Sequence, residues 1–234
     1  TAWGVKGIEL SWSDARGFTT AVALHSGRLG HAGGANIFLS VSDDYENFDD
    51  ATVGDAAPIV RTLGSGPVDV IQYLISILRL VIGTDGAELT FRSSNIDEPV
   101  TPSNSSAATF STNGSAPMRA IKVDSRALFV QRSRKRLYMI GASQNAALGD
   151  YETSDLTSLV PDLLNAGIVS VAVQRQPDTR IHCVLSDGTV ALLTYEPQEE
   201  VICWSTWSTD GAAEQAMCLP GATEDAVYYH VRRT

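Results

Sequence analysis

The stretch Ile168–Gly211, IVSVAVQRQPDTRIHCVLSDGTVALLTYEPQEEVICWSTWSTDG, predicts four consecutive β-strands joined by short turns. Asp187-Gly188 is a strong hairpin signal and predicts a type I′ turn, because both central positions of that turn need a positive φ. The four strands are expected at Ile168–Gln174, Arg180–Ser186, Val190–Tyr195 and Val201–Ser208. An antiparallel meander of this length predicts one blade of a β-propeller.

The same pattern of strands and tight turns recurs along the chain at a nearly constant interval. Its copies begin near residues 19, 68, 119, 169 and 214. Self-similarity at about 40–50 residues, with several strands in each unit, is typical of a propeller. We therefore predict a single all-β domain over residues 1–234, a β-propeller of about five four-stranded antiparallel blades.

Longer connections separate the strand triplets and are expected to carry the fourth strands. They span Tyr45–Gly66, Ser93–Ser115 and Gln144–Gly167. The last contains the one predicted helix, a short one from about Ser154 to Asn165, which Pro161 is expected to shorten or break. The fifth copy lacks room for its last strands. We expect it to pair with an N-terminal strand near Ile8–Trp12, or with a flanking segment.

The composition favours a globular all-β protein and argues against a nucleic-acid-binding one. A hydrophobic content of 44% with 19% charged residues suits a packed all-β domain. The net charge of −10 argues against affinity dominated by nucleic-acid phosphates. The three cysteines, Cys183, Cys203 and Cys218, are odd in number and irregularly spaced, so we expect inert thiols rather than disulfides or a zinc site.

Targeting signals are not evident in the sequence. No apolar run approaches the roughly 20 residues that span a bilayer, and no signal peptide opens the chain. The chain starts at Thr1 rather than at a methionine. We expect a processed or excised fragment of a longer protein.

An acidic cluster is the most ligand-like feature of the sequence. Its carboxylate and amide oxygens suit Ca²⁺, but it lacks the alternation and central glycine of an EF-hand loop. It also matches the Asp-box of sialidase-type propellers only in part, because Glu46 stands where that motif has glycine. We favour a solvated loop between blades over a calcium site. The candidate ligands are Asp43, Asp44, Glu46, Asn47, Asp49 and Asp50.

Two further groups are candidates for interactions. The basic turn formed by Arg132, Arg134, Lys135 and Arg136 has the charge to contact phosphate. On a chain of net charge −10 we favour a solubilising hairpin tip or a contact for an acidic neighbour. Trp204 and Trp207 are three apart on a strand and therefore point to opposite faces. We expect one in the core and the other between blades or at an interface, with sugar stacking as the alternative.

The sequence contains no recognisable catalytic motif. His25, His31, His182 and His230 do not form a metal-binding motif, and we expect structural histidines. A Gly-x-Ser-x-Gly elbow, a P-loop and a dinucleotide fingerprint are all missing from the sequence. We therefore predict neither an enzyme nor a cofactor.

Several short phrases occur in order along nearly the whole chain. They are GFTTAVA (17–23), GRL (27–29), AGG (32–34), SVSDDYENF (40–48), LVIGTDGAE (80–88), TPS (101–103), ALFVQ (127–131), DY (150–151), DLT (155–157), SDG (186–188), LTY (193–195), VICW (201–204), TDG (209–211) and VRR (231–233). Together they resemble the propeller portion of tail nozzle proteins (also called tail tubular or hub proteins) of short-tailed bacteriophages. Gly30-His31 and the basic turn depart from the family pattern.

The resemblance implies a structural virion protein, assembled in the host cytoplasm and located in the tail. Proteins of that family assemble as a ring, commonly a hexamer, below the portal and adaptor. The ring forms a channel through which DNA passes without sequence-specific binding. Tail fibre or spike proteins are further implied partners, and no membrane is implied. The family proteins are much longer, with a platform and a distal tip that have no counterpart here.

The residues themselves leave a second function open. A carbohydrate-binding propeller, lectin-like or sialidase-like, would use exposed tryptophan or tyrosine side chains together with the acidic loop. The family resemblance favours the structural virion role over this alternative.

Overall fold

Strands are the only regular elements of the described residues. The computed structural model describes residues 12, 17–64, 70–93, 98–144, 151–197, 199 and 201–233. No helix that could cross a membrane occurs in this part of the chain. The strands are β1 Ala21–His25, β2 Arg28–Gly33, β3 Asn36–Leu39, β4 Ile59–Thr62, β5 Ile71–Ser76, β6 Leu80–Thr84, β7 Glu88–Arg92, β8 Ser106–Ser111, β9 Ile121–Val123, β10 Arg126–Val130, β11 Leu137–Ala142, β12 Tyr151–Asp155, β13 Ile168–Gln174, β14 Arg180–Leu185, β15 Val190–Glu196, β16 Val201–Trp207, β17 Ala212–Leu219 and β18 Ala226–Arg232.

The strands form successive antiparallel sheets in which chain neighbours are sheet neighbours. Four sheets have four strands each, namely β1 to β4, β5 to β8, β9 to β12 and β13 to β16, and β17 pairs with β18 in a two-stranded sheet. Consecutive four-stranded antiparallel meanders are the blades of a β-propeller, so the predicted fold class is confirmed. The described residues contain four complete blades and two strands of a fifth.

The predicted repeat is also supported. The first strands of the five sheets begin at residues 21, 71, 121, 168 and 212, each within a few residues of the predicted starts. The fourth blade has its strands where the sequence pattern places them. Strands β4, β8 and β12 lie within the three long connections, as expected. The predicted N-terminal strand near Ile8–Trp12 lies outside the described residues, apart from Trp12.

The chain divides into two compact units. Unit 1 comprises Thr1–Arg132 with Ile140–Thr153, and unit 2 comprises Ser133–Met139 with Ser154–Thr234. The first two sheets belong to unit 1, and the last two belong to unit 2. The single domain expected from the sequence stays a prediction.

The second strands of the sheets differ in how many of their residues are buried. The second strands β6 and β14 are buried almost throughout, with apolar side chains on both faces. The second strand of the first sheet, β2, instead alternates between buried and half-buried residues, and β18 alternates between half-buried and exposed ones. A strand that is covered on both faces reads as a continuous apolar run, whereas alternation marks a sheet with one open face. The first sheet and the two-stranded sheet therefore each leave one face open.

The predicted helix is absent, and the sequence explains why. Residues 156–166 form turns, after Ser154 and Asp155 have ended β12. Successive bonds run from N–H to the carbonyl three residues earlier, as from Val160 to Thr157 and from Leu163 to Val160. Pro161 has no N–H to donate, so it interrupts the four-residue ladder that an α-helix needs. The helix prediction was therefore wrong.

The Asp187-Gly188 hairpin has a different turn from the predicted one. Gly188 has φ +84°, but Asp187 is not among the described residues with positive φ. The Gly188 N–H donates to the Leu185 carbonyl, and the Leu185 N–H donates to the Thr189 carbonyl. The three-residue loop 186–188 thus combines a type I turn with a left-handed glycine, the common alternative to the type I′ turn.

Close packing in unit 1 leaves no room for a side chain at Gly83 of β6. A Cβ atom built there would lie 2.2 Å from Cε1 of the Tyr73 ring, and that ring is fully buried. The Gly83→Ala substitution should therefore destabilise the protein by about 1–3 kcal/mol through overpacking. Chemical unfolding of the two proteins measures this difference in free energy.

Gly141 in β11 provides the matched control for that test. A Cβ atom at Gly141 meets no heavy atom within 4 Å. We expect Gly141→Ala to leave the free energy of unfolding unchanged or to raise it slightly, since alanine restricts the unfolded chain. Equal losses in both variants would contradict the packing described for Gly83.

Candidate functional site

The acidic loop between β3 and β4 is organised from within by a buried arginine. Arg28 of β2 is 3% exposed. One of its guanidinium nitrogens, Nη1, donates to the carbonyls of Ser40 at 2.6 Å and Ala57 at 2.7 Å. The other, Nη2, donates to the Asp55 carbonyl at 2.8 Å. Desolvation lowers the pKa of Arg28, whereas the charge of Asp43 raises it. The guanidinium group of Arg28 therefore bonds to both ends of the loop, at Ser40 on one side and at Asp55 and Ala57 on the other.

The acidic side chains of this loop bond to their own chain neighbours. The Asn47 amide donates to Asp44 at 3.0 Å, and the Asp49 N–H donates to Asn47 Oδ1 at 3.0 Å. Asp49 in turn accepts from the Ala51 N–H. Among the residues that the structure describes, no three His, Cys, Asp or Glu side chains form a group able to hold a metal ion. The geometry thus gives the calcium hypothesis no support.

One aromatic residue of the acidic loop, Phe48, packs onto the open face of the first sheet. Phe48 lies 5.4 Å from Trp12 and 5.6 Å from His31, measured between ring centroids. Trp12 also contacts Phe38 edge to face at 5.2 Å. Burial lowers the pKa of His31, which favours its neutral form. This aromatic cluster covers part of that face, and the loop is consequently fixed to the blade.

The basic turn is only partly solvated. Arg132, Arg134 and Lys135 are exposed, and Arg134 has φ +62°. Arg136 is half-buried in unit 2, where Nη1 donates to the Thr157 carbonyl at 3.2 Å and lies 3.6 Å from Asp155. Arg136 therefore stabilises the turns that follow β12, and the exposed cations number three rather than four.

The two tryptophans of β16 are tied into unit 2 by their indole N–H groups. Trp204 donates to the Leu156 carbonyl at 2.9 Å. Trp207 donates to the Tyr229 hydroxyl at 3.4 Å and meets that ring edge to face at 4.7 Å. Both side chains are half-buried, as packing residues are. This arrangement gives no support to the sugar-stacking alternative.

The buried histidines act as neutral hydrogen-bonding groups. His25 Nδ1 bonds to Ser76 Oγ at 2.9 Å in unit 1, and His182 Nδ1 bonds to the Tyr229 hydroxyl in unit 2. Burial lowers the pKa of each to about 4, with Arg79 and Arg180 as secondary causes. His230 is exposed and lies 3.2 Å from Glu214. His182 and His230 are thus not equivalent, despite lying nearly one repeat apart.

A cavity in unit 1 was not predicted from the sequence. It has a volume of about 270 Å³, with Leu89 and Phe91 of β7 in its wall and Arg61 and Thr109 among its polar residues. The Oγ atom of Ser105, another lining residue, is buried without a hydrogen-bond partner. The lining residues come from the three strands β4, β7 and β8 and from the two connecting segments next to β4 and β8, so no local pattern in the sequence marks the cavity.

The comparisons with known proteins support the fold class, but they do not identify a family or a function. No protein-family model matches the chain, and no curated protein matches its sequence. Similar solved structures include BBS1N in complex with ARL6DN, with a TM-score of 0.55, 14% identity, and coverage of 91% of this chain and 60% of that chain. This chain thus spans about three-fifths of the length of the BBS1N chain.

Two other solved structures are less similar. One is from the S. cerevisiae Dbp5 complex with nup159 and gle1, with a TM-score of 0.48, 10% identity, and coverage of 85% of this chain and 49% of that chain. The other is the Myceliophteria thermophila Cps50 (Swd1) β-propeller domain, with a TM-score of 0.43, 7% identity, and coverage of 85% and 76%. At 14% identity, the similarity to the BBS1N structure concerns the fold only.

Replacing Arg28 tests the organisation of the acidic loop. Arg28→Met keeps an apolar stem but leaves the buried carbonyls of Ser40 and Ala57 without their donor. We expect a loss of about 2–4 kcal/mol in the free energy of unfolding, together with faster amide exchange in residues 41–57. The exposed Arg61→Met is the matched control. An Arg28 variant as stable as that control would contradict the role described for Arg28.

The buried His182 predicts a pH dependence of stability. Its pKa in the folded protein, about 4, lies below the ordinary value of 6.5. Stability is therefore fully present above pH 6.5 and is lost as the pH falls towards 4. We expect this residue to account for about 1–3 kcal/mol of that loss.

Denaturant unfolding between pH 7 and pH 4 measures this effect. His182→Asn should make the free energy of unfolding depend less steeply on pH, with the remaining slope in this range owed partly to His25. His230→Asn, at an exposed position, is the control. If the His182 variant kept the full slope, the neutral buried state of this histidine would be refuted.

Proposed function

We propose that this chain is a structural β-propeller module of a virion, part of a short-tailed bacteriophage tail nozzle or hub. Its role is architectural: the blades present surfaces to neighbouring copies, to the adaptor and to fibre or spike proteins. In the assembled ring, a hexamer by family resemblance, the protein helps to form the channel for genome delivery. The proposal involves no catalysis and no cofactor.

The observation that carries this proposal is the open apolar face of the first sheet. Phe18, Val22 and Leu24 are 61%, 59% and 61% exposed. Val22 and Leu24 lie at alternate positions of the edge strand β1 and therefore share one face of the sheet. In the middle of that face, His31 and Phe38 pack against Phe48 and Trp12, so its exposed apolar side chains lie on the two edge strands, Val22 and Leu24 on β1 and Val60 on β4. Contiguous exposed apolar side chains on a folded domain mark a surface that contacts another protein.

Unit 2 has an open apolar face of its own. On the two-stranded sheet, Met217 and Leu219 of β17 are about half exposed, and Tyr228 of β18 pairs directly with Met217. Each unit therefore presents an apolar sheet surface. A module that must bind protein partners would need such surfaces.

The charge of the chain is compatible with a channel for DNA. Its net charge is −10, and the acidic loop contributes several exposed carboxylates. Such a surface repels phosphate rather than binding it, which allows DNA to pass without being held. The exposed cations of the basic turn, Arg132, Arg134 and Lys135, are then candidates for contacts with an acidic protein neighbour.

Electron microscopy of the full-length protein tests the proposal. We expect rings when it is mixed with the portal and adaptor proteins of the same phage. The double substitution Val22→Asp and Leu24→Asp should weaken this assembly about tenfold or more, because each new carboxylate would have to be desolvated at an apolar contact.

Val53→Asp is the matched control, since Val53 is 86% exposed and belongs to the same unit. It should assemble like the unchanged protein. A full-length protein that stays monomeric and does not contact the adaptor would overturn the proposal. Equal assembly by the double variant would show that the face of the first sheet is not the contact.

A further inference from the structure

The cavity in unit 1 lies between the first and the second sheet. On one side, the end of β4 and the segment after it contribute residues 61–64 to its wall. On the other side, Leu89 and Phe91 of β7 pair with Thr109 and Ala107 of β8, so these four side chains share one face of the second sheet. Because β8 carries small side chains at both positions, the space between the sheets is left open.

The floor of this cavity is apolar and rigid. Leu89 and Phe91 are 5% and 1% exposed, and Leu63 belongs with them to the buried core cluster of unit 1. The cavity volume is about 270 Å³. An apolar cavity of about 150 Å³ is large enough to bind benzene, so this one has room for a single ring with a polar substituent.

One end of the cavity is polar, and its hydrogen-bonding capacity is unused. The Oγ atom of Ser105 is buried and has no hydrogen-bond partner among the described residues. Arg61 lies at the same end, because it donates to the carbonyl of Pro102 in the turn that the Ser105 N–H closes on the Thr101 carbonyl. A buried hydroxyl without a partner is unfavourable, so a ligand atom that bonds to Ser105 removes that cost.

The charge of the lining favours an anion. Arg61 is the only charged residue among the described residues that line the cavity. Its guanidinium group donates to the neutral carbonyls of Val60 and Pro102, and no carboxylate of the described residues is paired with it. The planar group has further N–H donors, which match the two oxygens of a carboxylate. The hydroxyls of Ser106 and Thr109 are additional polar groups of the wall.

We propose that this cavity binds a small carboxylate with a compact apolar body. The carboxylate bonds to Arg61 and Ser105, and the apolar body lies on Leu89 and Phe91. An apolar pocket with a few convergent polar groups is the usual form of a small-molecule site. This inference rests on the cavity alone and does not depend on the proposed virion function. For a ligand of about nine non-hydrogen atoms we expect a dissociation constant on the order of 1 mM.

An NMR titration of the 234-residue chain with sodium benzoate tests this proposal. We expect the amide signals of residues 61–64 and 105–109 to shift together and to saturate. Benzamide has nearly the same shape without the charge, and it should bind about tenfold more weakly, because hydrogen bonds to an ionised partner are the stronger ones. Sodium chloride at the same concentration should leave these signals in place, which separates binding from an effect of ionic strength.

The charge of the site is tested by Arg61→Met. This variant should weaken benzoate binding about tenfold and leave benzamide binding unchanged, since it removes the cation but keeps an apolar stem. Arg119→Met is the matched control, because Arg119 is exposed in the same unit and does not line the cavity. It should bind both probes like the unchanged protein.

The space itself is tested by Ala107→Leu, which places a larger side chain over Phe91 and should abolish binding of both probes. Ala51→Leu, at an exposed position of the acidic loop, should not affect binding. Ser105→Ala removes no hydrogen bond from the free protein, so we expect unchanged stability but about threefold weaker benzoate binding. It keeps the test decisive even if the leucine variant does not fold.

Three results would overturn the proposal. The first is the absence of benzoate-dependent shifts in residues 61–64 and 105–109. The second is equal affinity for benzoate and benzamide, which would mean that Arg61 does not bind the carboxylate. The third is unchanged benzoate binding by both Ala107→Leu and Ser105→Ala, which would place the bound molecule outside the cavity.

Discussion

Backbone pairing within each antiparallel sheet is the constraint on which the rest of this structure depends. The second strands β6 and β14 are buried on both faces, so their N–H and C=O groups have no access to water. Each of these strands is flanked by two others that accept and donate those bonds. Sheet pairing therefore makes it possible to bury apolar side chains on both faces of these strands.

A few buried polar groups hold those connections against the sheets. Arg28 supplies donors to the carbonyls at both ends of the acidic loop. Glu88 of β7 does the opposite, accepting a bond from Ser115 Oγ at 2.9 Å in the connection that follows β8. Burial raises the pKa of Glu88, and bonds from Ser111 and Ser115 partly counter that rise. One buried cation and one buried carboxyl group thus order two loops of unit 1.

The same reasoning separates packing from recognition. The tryptophans of β16 and the buried histidines form hydrogen bonds to residues of their own unit. We therefore regard them as packing residues. The open faces of the first sheet and of the two-stranded sheet are different, because they carry exposed apolar side chains. These surfaces are suited to protein contacts, and they are the observation on which the proposed assembly role rests.

The sequence by itself determined the local features of the molecule. Alternating residues and turn signals located all four strands of the fourth blade, and their spacing located the start of every other sheet. The sequence predicted a type I′ turn at Asp187-Gly188, but the loop contains a type I turn followed by a left-handed Gly188. A Cβ atom at Gly188 would also lie 2.6 Å from the Cβ atom of Ala212, a contact that the sequence does not reveal. Nor did it exclude the helix after Asp155, although Pro161 already indicated a break.

Only the tertiary structure decided which faces are covered and which polar groups find partners. His182 bonds to Tyr229, 47 residues away, whereas His230 is left in solvent. Arg28 reaches carbonyls nearly 30 residues along the chain. Strand period and turn chemistry are properties of adjacent residues and can be read from a short stretch. Burial and hydrogen-bond satisfaction depend on residues brought together by folding, and no local pattern records them.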